Sequence, residues 1–313
     1  MKIVVVGAGG RLGAALIREF RPKYDVIGFD HAQLDLSNLK GLRENVGAIT
    51  FDVLINAAAF TNVDACETKR DHAFRINAEA PAVLAEICNE NDAKLIHFST
   101  DYVFDGEKHT PYTEEDQANP ISAYGESKVA GERNVLAVGE KHLVVRVSWV
   151  FGPDRPSFVD AMIKRAQQDE KVDAIADKFS TPTYTQDIAE MLARVLDDWS
   201  RRASASDGLG AGRLHGILHF ANAGKCSWQE YAQWALDCCR DAGVSLKGTT
   251  VGALKLSEMT HLRQGSGGQA PWVARRPAYS VLSIAKYTEL TSAPPRTWRE
   301  AVADYITHFY SKK

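Results

Sequence analysis

A tyrosine and a lysine four residues apart on a helix can carry acid–base chemistry. Tyr124-Gly125-Glu126-Ser127-Lys128 offers that pair, and i, i+4 spacing sets both side chains on one helix face. A free phenol titrates near about 10, and a neighbouring ammonium is expected to lower that value. Tyr124 is then a candidate to donate a proton to a carbonyl oxygen as hydride reaches the carbon. Lys128 is also placed to hold a nicotinamide ribose. The spacing alone is common; its context gives it weight. Upstream stands Ser99-Thr100-Asp101-Tyr102, where a strand is expected to end. Ligands lie outside the carboxyl ends of parallel strands, so Thr100 is a candidate for orienting the substrate oxygen.

A second constellation opens the chain. Val4–Val6 lead into Gly7-Ala8-Gly9-Gly10-Arg11-Leu12-Gly13 and then a helical pattern. Leu12 excludes the strict GxGxxG form, whereas Gly7, Gly10 and Gly13 satisfy GxxGxxG. Glycine allows the tight turn and the close approach of backbone to a pyrophosphate, and the helix start presents free N–H groups to phosphate. Asp30, 23 residues after Gly7, is placed to accept from the adenosine ribose hydroxyls and to repel a 2′-phosphate, which favours NAD over NADP. Arg11 and His31 are the residues that would favour the phosphate instead. Ala57, Ala58 and Ala59 would let a cofactor cross the end of the third strand, and Asp35 and Leu36 would border its adenine.

These residues need a scaffold of parallel strands and covering helices. Strands are expected at 2–6, 25–29, 52–56, 94–99 and 142–147, and helices at 10–20, 70–91 and 122–138. Unbroken apolar strands alternating with amphipathic helices indicate βαβ units in a sheet covered on both faces. The fold class is therefore α/β: a Rossmann-type, doubly wound parallel sheet in residues 1–150, to which later segments can return. Residues 151–313 form mainly a smaller α/β substrate lobe. Helices are expected there at 156–168, 185–199 and 227–242, the last with a Ser227/Glu230 capping box, and a strand at 216–221. Residues 200–213 and 261–271 read as loops; for the Gly/Ser-rich part of the second, a lid and a surface loop are both open.

Bulk properties exclude several classes. A formal charge of −3 shows no basic excess to attract nucleic acid or an anionic membrane. No stretch approaches the ~18 apolar residues of a membrane span, and the start does not read as a signal peptide. The five cysteines form no CxxC pair, and the adjacent Cys238 and Cys239 read as small apolar helix residues. These features imply reduced thiols and a cytoplasmic protein. The nine histidines make no HxH or HExxH pattern, so no metal ligand is assigned. Asp64, Glu67, Glu114, Glu115 and Asp116 read as solvated loop or helix-start charges.

The segments GAGGRLG (7–13), AAAFTNVDACE (57–67), INAEAP (76–81), STDYVFDG (99–106), NPISAYGESKVAGE (119–132), RVSWVFG (146–152), DKFSTPTYTQDIA (177–189), ANAGKCSWQEYA (221–232) and ARRPAYSVL (274–282) carry a resemblance that runs nearly end to end. The chain resembles an extended short-chain dehydrogenase/reductase, and most closely the dTDP-4-dehydrorhamnose reductase family. The resemblance implies NAD(P)H-dependent reduction of the C4 ketone of a nucleotide-linked 6-deoxy-4-ketohexose, in dTDP-rhamnose and cell-surface polysaccharide biosynthesis. It maps a catalytic triad onto Thr100, Tyr124 and Lys128. It maps substrate contacts onto Thr61, Val63, Thr100, Asp101, Tyr102, Trp149 and Arg276, with Trp149 open to stacking on a sugar or to a core role. A homodimer, and a divalent ion at its interface, are known in the family; no residue here is assigned to that ion. Ser180 stands where the family usually has glycine, and ARRPAYS departs from the usual Arg-Pro-x-x-Ser, which leaves the exact sugar and base open. An epimerase on the same fold, and a non-catalytic subunit resembling that of methionine adenosyltransferase, are the rival functions. Tyr102 argues against a dehydratase, which would place glutamate there.

Overall fold

In the computed structural model, which describes residues 1–203, 215–259 and 272–311, six parallel strands form one sheet. They are β1 (Lys2–Val6), β2 (Asp25–Phe29), β3 (Val53–Asn56), β4 (Lys94–Thr100), β5 (Leu143–Val147) and β6 (Gly216–Phe220). The spatial order is β6-β5-β4-β3-β1-β2, with every neighbouring pair parallel. The inner strands read as continuous apolar runs because both faces are covered. On one face, Leu12, Leu16 and Phe20 meet Ile188, Leu192, Leu196 and Trp199. On the other, Leu42 and Val46 meet Leu84, Ile87 and Cys88.

The strand order reverses direction between β1 and β3. A crevice therefore opens outside the carboxyl ends of those strands, where ligands bind in open α/β sheets. The turn after β1 is Gly7–Gly10 and the turn after β3 is Ala57–Ala59, so both candidate cofactor segments flank this point.

The smaller lobe packs around Phe151, Tyr184, Tyr231, Trp298 and Tyr305. Its strands are short pairs: Val150–Phe151 with Thr183–Tyr184, Phe179–Ser180 with Cys226–Ser227, and Val172–Ile175 with Val251–Leu254. The helix Trp228–Asp241 starts on the expected Ser227/Glu230 capping box. All five cysteines are free thiols, four of them buried, and Cys238 and Cys239 lie on that helix.

Three differences from the sequence expectation have clear physical causes. The helix expected to end at 199 runs on to Ala203, with Ser200 Oγ donating to Leu196 O one turn back. The remainder of the 200–213 expectation and residues 261–271 lie outside the described residues. The helix expected at 70–91 is broken by a π-helical turn at Arg75–Glu79 between α segments Arg70–Phe74 and Ala80–Glu90. Finally, the helices Leu39–Val46, Val63–Thr68, Leu256–Met259, Ala285–Thr291 and Trp298–Phe309 went unpredicted. The first four are under nine residues long, too short for a helical period to stand out.

Candidate active site

One cavity of about 1100 Å³ lies over the β1–β3 switch point, at the upper end of the ~300–1,000 Å³ range of ligand pockets. Its lining includes Gly7, Gly10, Arg11, Leu12, Asp30, Asp35, Leu36, Ala57, Ala58, Ala59, Thr61, Thr100, Tyr124, Lys128 and Trp149. The glycine turn and the Thr100/Tyr124/Lys128 set thus share one chamber.

The turn is built to bring backbone close. Gly7 sits at φ +88°, a region that side chains disfavour, and its carbonyl accepts from Gly10 N at 2.9 Å. Gly13 lies outside the lining but is equally constrained: a Cβ there would stand 2.1 Å from the Gly7 carbonyl oxygen. The helix Arg11–Phe20 begins directly behind, with Gly10 as its N-cap and no side-chain cap. Gly10, Arg11 and Leu12 at this helix start line the cavity, and the first N–H groups of a helix are free to meet an anion. Gly7, Gly13 and this uncapped helix start therefore fit a dinucleotide pyrophosphate.

Asp30 directly follows β2, where its Oδ1 accepts from Ala32 N and Gln33 N, both at 3.0 Å. Arg11 does not point at it. Its guanidinium donates instead to the carbonyls of Val150, Arg155 and Pro156, and so it ties the first helix to the second lobe. A residue missed from the sequence, Arg155, lines the cavity and donates to Gly9 O at 2.9 and 3.0 Å. No motif marks it, because it reaches the glycine turn across 146 residues of chain.

At the other end, Ser122 caps the helix Ala123–Val138 by accepting from Gly125 N, which sets Tyr124 in the first turn. Tyr124 is 8% exposed. Burial holds its phenol above the ordinary value, and the nearby Thr100 hydroxyl is what opposes this. The expected lowering by Lys128 is thus absent, for a geometric reason. Lys128 Nζ turns away to donate to Phe98 O at 2.8 Å and to lie 3.3 Å from His97 Nε2.

Asn56 Oδ1 accepts from Ala58 N, and Asn56 Nδ2 lies 3.1 Å from His97 Nδ1. The ring is fully buried and its pKa is held well below the usual value, by burial and then by Lys128. The Lys128 ammonium is itself pulled down to about 8 by burial, partly offset by Glu132. The sign follows directly: ammonium prevails below about pH 8 and amine above it. Affinity for NADH or NADPH, measured by fluorescence titration on either side of that pH, is expected to fall as pH rises. Lys128→Met should remove the dependence.

The π-helical turn also serves the site. Asn77 accepts from Phe60 N at 2.8 Å and donates to Phe60 O and Ser127 Oγ, both at 3.0 Å. It joins the loop after Ala59 to the helix of Tyr124 and Lys128. Such turns recur at functional sites, yet neither composition nor periodicity marked this one.

Four expected substrate residues lie outside the cavity lining. Val63 packs beside Tyr124 and Tyr102. Tyr102 stands edge-on to Tyr124, with ring centroids 5.8 Å apart. Arg276 pairs with Asp64 at 2.6 Å and stacks over Trp272 at 3.7 Å. Asp101 is buried, and its carboxylate accepts from the hydroxyls of Thr100, Ser148, Ser180 and Ser280. It pins the end of β4 to two segments of the second lobe. Trp149 both lines the cavity and packs on Phe158, Trp228 and Tyr231. Its φ of +44° is strained for so bulky a residue, as happens at functional sites.

Several carboxylates read as solvated are engaged. Asp64 holds Arg276 and the N–H groups of Val273 and Ala274. Glu67 accepts from Ala123 N, Glu114 from His219 N, and Asp116 from Lys108 and Thr113. Glu115 is exposed. Among the described residues no cluster of histidine, cysteine or carboxylate has a metal-holding arrangement, and no helix is long and apolar enough to cross a membrane.

Residues 1–311 match the family model described as the RmlD substrate binding domain. The chain belongs to the RmlD family. Within that family of NAD(P)-dependent reductases, it is 35% identical over 308 residues to a dTDP-4-dehydrorhamnose reductase of Mycolicibacterium smegmatis, covering 97% of this chain and 85% of that one. It is 32% identical over 306 residues to the spore coat polysaccharide biosynthesis protein SpsK of Bacillus subtilis, covering 97% and 96%. The crystal structure of a dTDP-4-dehydrorhamnose reductase from Bacillus anthracis in complex with NADP superposes with a TM-score of 0.84 at 30% identity, covering 98% and 99%. The RmlD match spans both lobes, consistent with a site built from each.

Proposed function

We propose that the chain reduces the C4 ketone of a nucleotide-linked 6-deoxy-4-ketohexose, converting dTDP-4-dehydrorhamnose to dTDP-L-rhamnose. One observation carries this reading: Thr100, Tyr124 and Lys128 line the same cavity as the glycine turn. The reduced nicotinamide, when bound, supplies the hydride. Gly7, Gly10, Leu12 and Gly13 shape the pyrophosphate cradle, with Arg11 holding the cradle to the second lobe. Ala57, Ala58 and Ala59 leave room beside it, and Asp35 and Leu36 border the adenine.

Tyr124, kept protonated by burial, donates its phenolic proton to the C4 oxygen. Thr100 orients that oxygen, and Lys128 turns from Phe98 O to the nicotinamide ribose. Thr61 and Trp149 meet the sugar from the cavity wall, and Tyr102 and Arg276 continue the contact surface towards the nucleotide, with Val63 and Asp101 supporting them from behind. Asp30 favours NADH, since Arg11 is committed elsewhere and offers no charge to a 2′-phosphate. On this reading the enzyme works in the cytoplasm on an activated sugar.

The test is turnover of dTDP-4-keto-6-deoxy-L-mannose with NADH and NADPH in parallel, followed by loss of reduced-nicotinamide absorbance. Stoichiometric loss, faster with NADH, is expected. Conversion of the sugar with no net loss of reduced cofactor would instead identify an epimerase.

A further inference from the structure

Lys178 lies between the strands Val172–Ile175 and Phe179–Ser180 and is only 1% exposed. A buried ammonium is strongly unfavourable without an acceptor. Among the described residues Lys178 has no hydrogen-bond or ion-pair partner; its Nζ meets ring faces, Tyr102 at 5.2 Å and Trp228 at 5.8 Å. Asp101 favours its charge and Arg276 opposes it, but burial dominates and draws the lysine down to about 8. It therefore still carries its charge at neutral pH. The Asp101 carboxylate cannot serve as its partner, being occupied by four hydroxyls.

The rings around Lys178 form a continuous wall. Tyr102 leads to Tyr124. Trp228 leads to Trp149, which lines the cavity, and to Trp272, 5.6 Å away. Arg276 stacks on Trp272 but is already neutralised by Asp64. Lys178 is thus the cation in this wall that lacks a contacting carboxylate, and it stands one aromatic ring away from the proposed proton donor. Of this wall Tyr124 and Trp149 line the cavity and Lys178 lies one ring behind them; a hexose whose C4 oxygen met Tyr124 would carry its C1 substituent past them. Sugar hydroxyls could accept from this ammonium but would not neutralise it; an anion would do both.

We propose that Lys178 binds the diphosphate that links sugar to nucleoside in the substrate. The assignment rests on the reductase reading above, for it takes the substrate's anionic part as its ligand. The dinucleotide's pyrophosphate is the other anion in the cleft, and the test separates the two.

Calorimetric titration of the full chain with dTDP, UDP, thymidine and NADH is the experiment, using wild type, Lys178→Met, Lys178→Gln and Lys178→Arg. Both neutral variants are expected to lose at least about tenfold in affinity for the nucleoside diphosphate. Thymidine and NADH binding should be unchanged, and Lys178→Arg should retain most of the affinity. Two neutral variants are used so that the comparison stands if either one folds poorly, as judged by circular dichroism. Unchanged diphosphate affinity, an equal loss for thymidine or NADH, or a wild type that binds neither dTDP nor UDP would each overturn the assignment. Turnover separates the two readings. A wild type that reduces the ketosugar nucleotide, with KM unaltered in Lys178→Met, would leave the reductase standing without this site. Diphosphate binding that depends on Lys178, without turnover, would do the reverse.

Discussion

Tyr124→Phe is expected to lower kcat for ketosugar reduction by about 10²–10⁴-fold, the range for losing a positioned general acid, while NADH affinity stays within about twofold. The other polar groups near the ketone are engaged, and on the reading above they turn only to orient its oxygen (Thr100) or to hold the ribose (Lys128). Thr100 Oγ1 lies 3.1 Å from Asp101 Oδ1 as donor and accepts from Tyr102 N at 3.2 Å. Lys128 donates to Phe98 O. The phenol, held protonated by burial, is the acid left to meet a developing alkoxide. The substitution removes one oxygen from a packed position, so the ring contacts with Tyr102, Val63 and Ala123 persist and the fold should be undisturbed. Steady-state kinetics with the ketosugar nucleotide, beside a cofactor titration, checks both halves. A variant that keeps full turnover would sink the assignment of Tyr124.

The second large effect concerns stability. Glu132→Ala should destabilise the fold by about 3–5 kcal/mol, the usual cost of orphaning a buried charge. That is a substantial share of the ~5–15 kcal/mol that separates folded from unfolded chains. Arg146 in β5 donates to Glu132 through Nε at 2.9 Å and Nη2 at 2.6 Å, with side-chain exposures of only 3% and 4%. Truncating Glu132 leaves that guanidinium buried, with Nη1 already lacking a partner and the Phe104 ring as its other neighbour. It also removes the acceptor of Ser99 Oγ at 2.5 Å, one residue before Thr100, so the end of β4 loosens together with the pair. Urea unfolding measures the effect. Replacing both partners, as Glu132→Leu with Arg146→Met, should recover most of the loss, because no charge is then stranded. Equal midpoints for wild type and Glu132→Ala would show that the pair contributes nothing.

The fold class and most of its elements were legible in the sequence because they depend on local pattern. The runs IVVV (3–6) and LVV (143–145) are buried within a sheet covered on both faces, which favours apolar residues there. The glycine turn was legible because close backbone approach excludes every other residue type at Gly13. Tyr124 and Lys128 could be read as a pair because helical spacing alone sets them on one face, and Thr100 because a strand end is a local event.

Other features depend on contacts between distant segments, which leave no period in the chain. Asp101 looked like a residue facing substrate, but serines from β5's end and from two segments of the second lobe converge on it. Asp64 looked like a solvated helix-start charge, but Arg276 arrives from 212 residues away to pair with it. Arg155 reaches the glycine turn, and Trp228 closes over Lys178, only once the second lobe folds back onto the first. Lys128 shows the division within a single residue. Its place beside Tyr124 follows from four residues of helix. Its lowered pKa follows from burial against β4, where His97 and the Phe98 carbonyl surround it, and burial is a property that only the folded chain possesses.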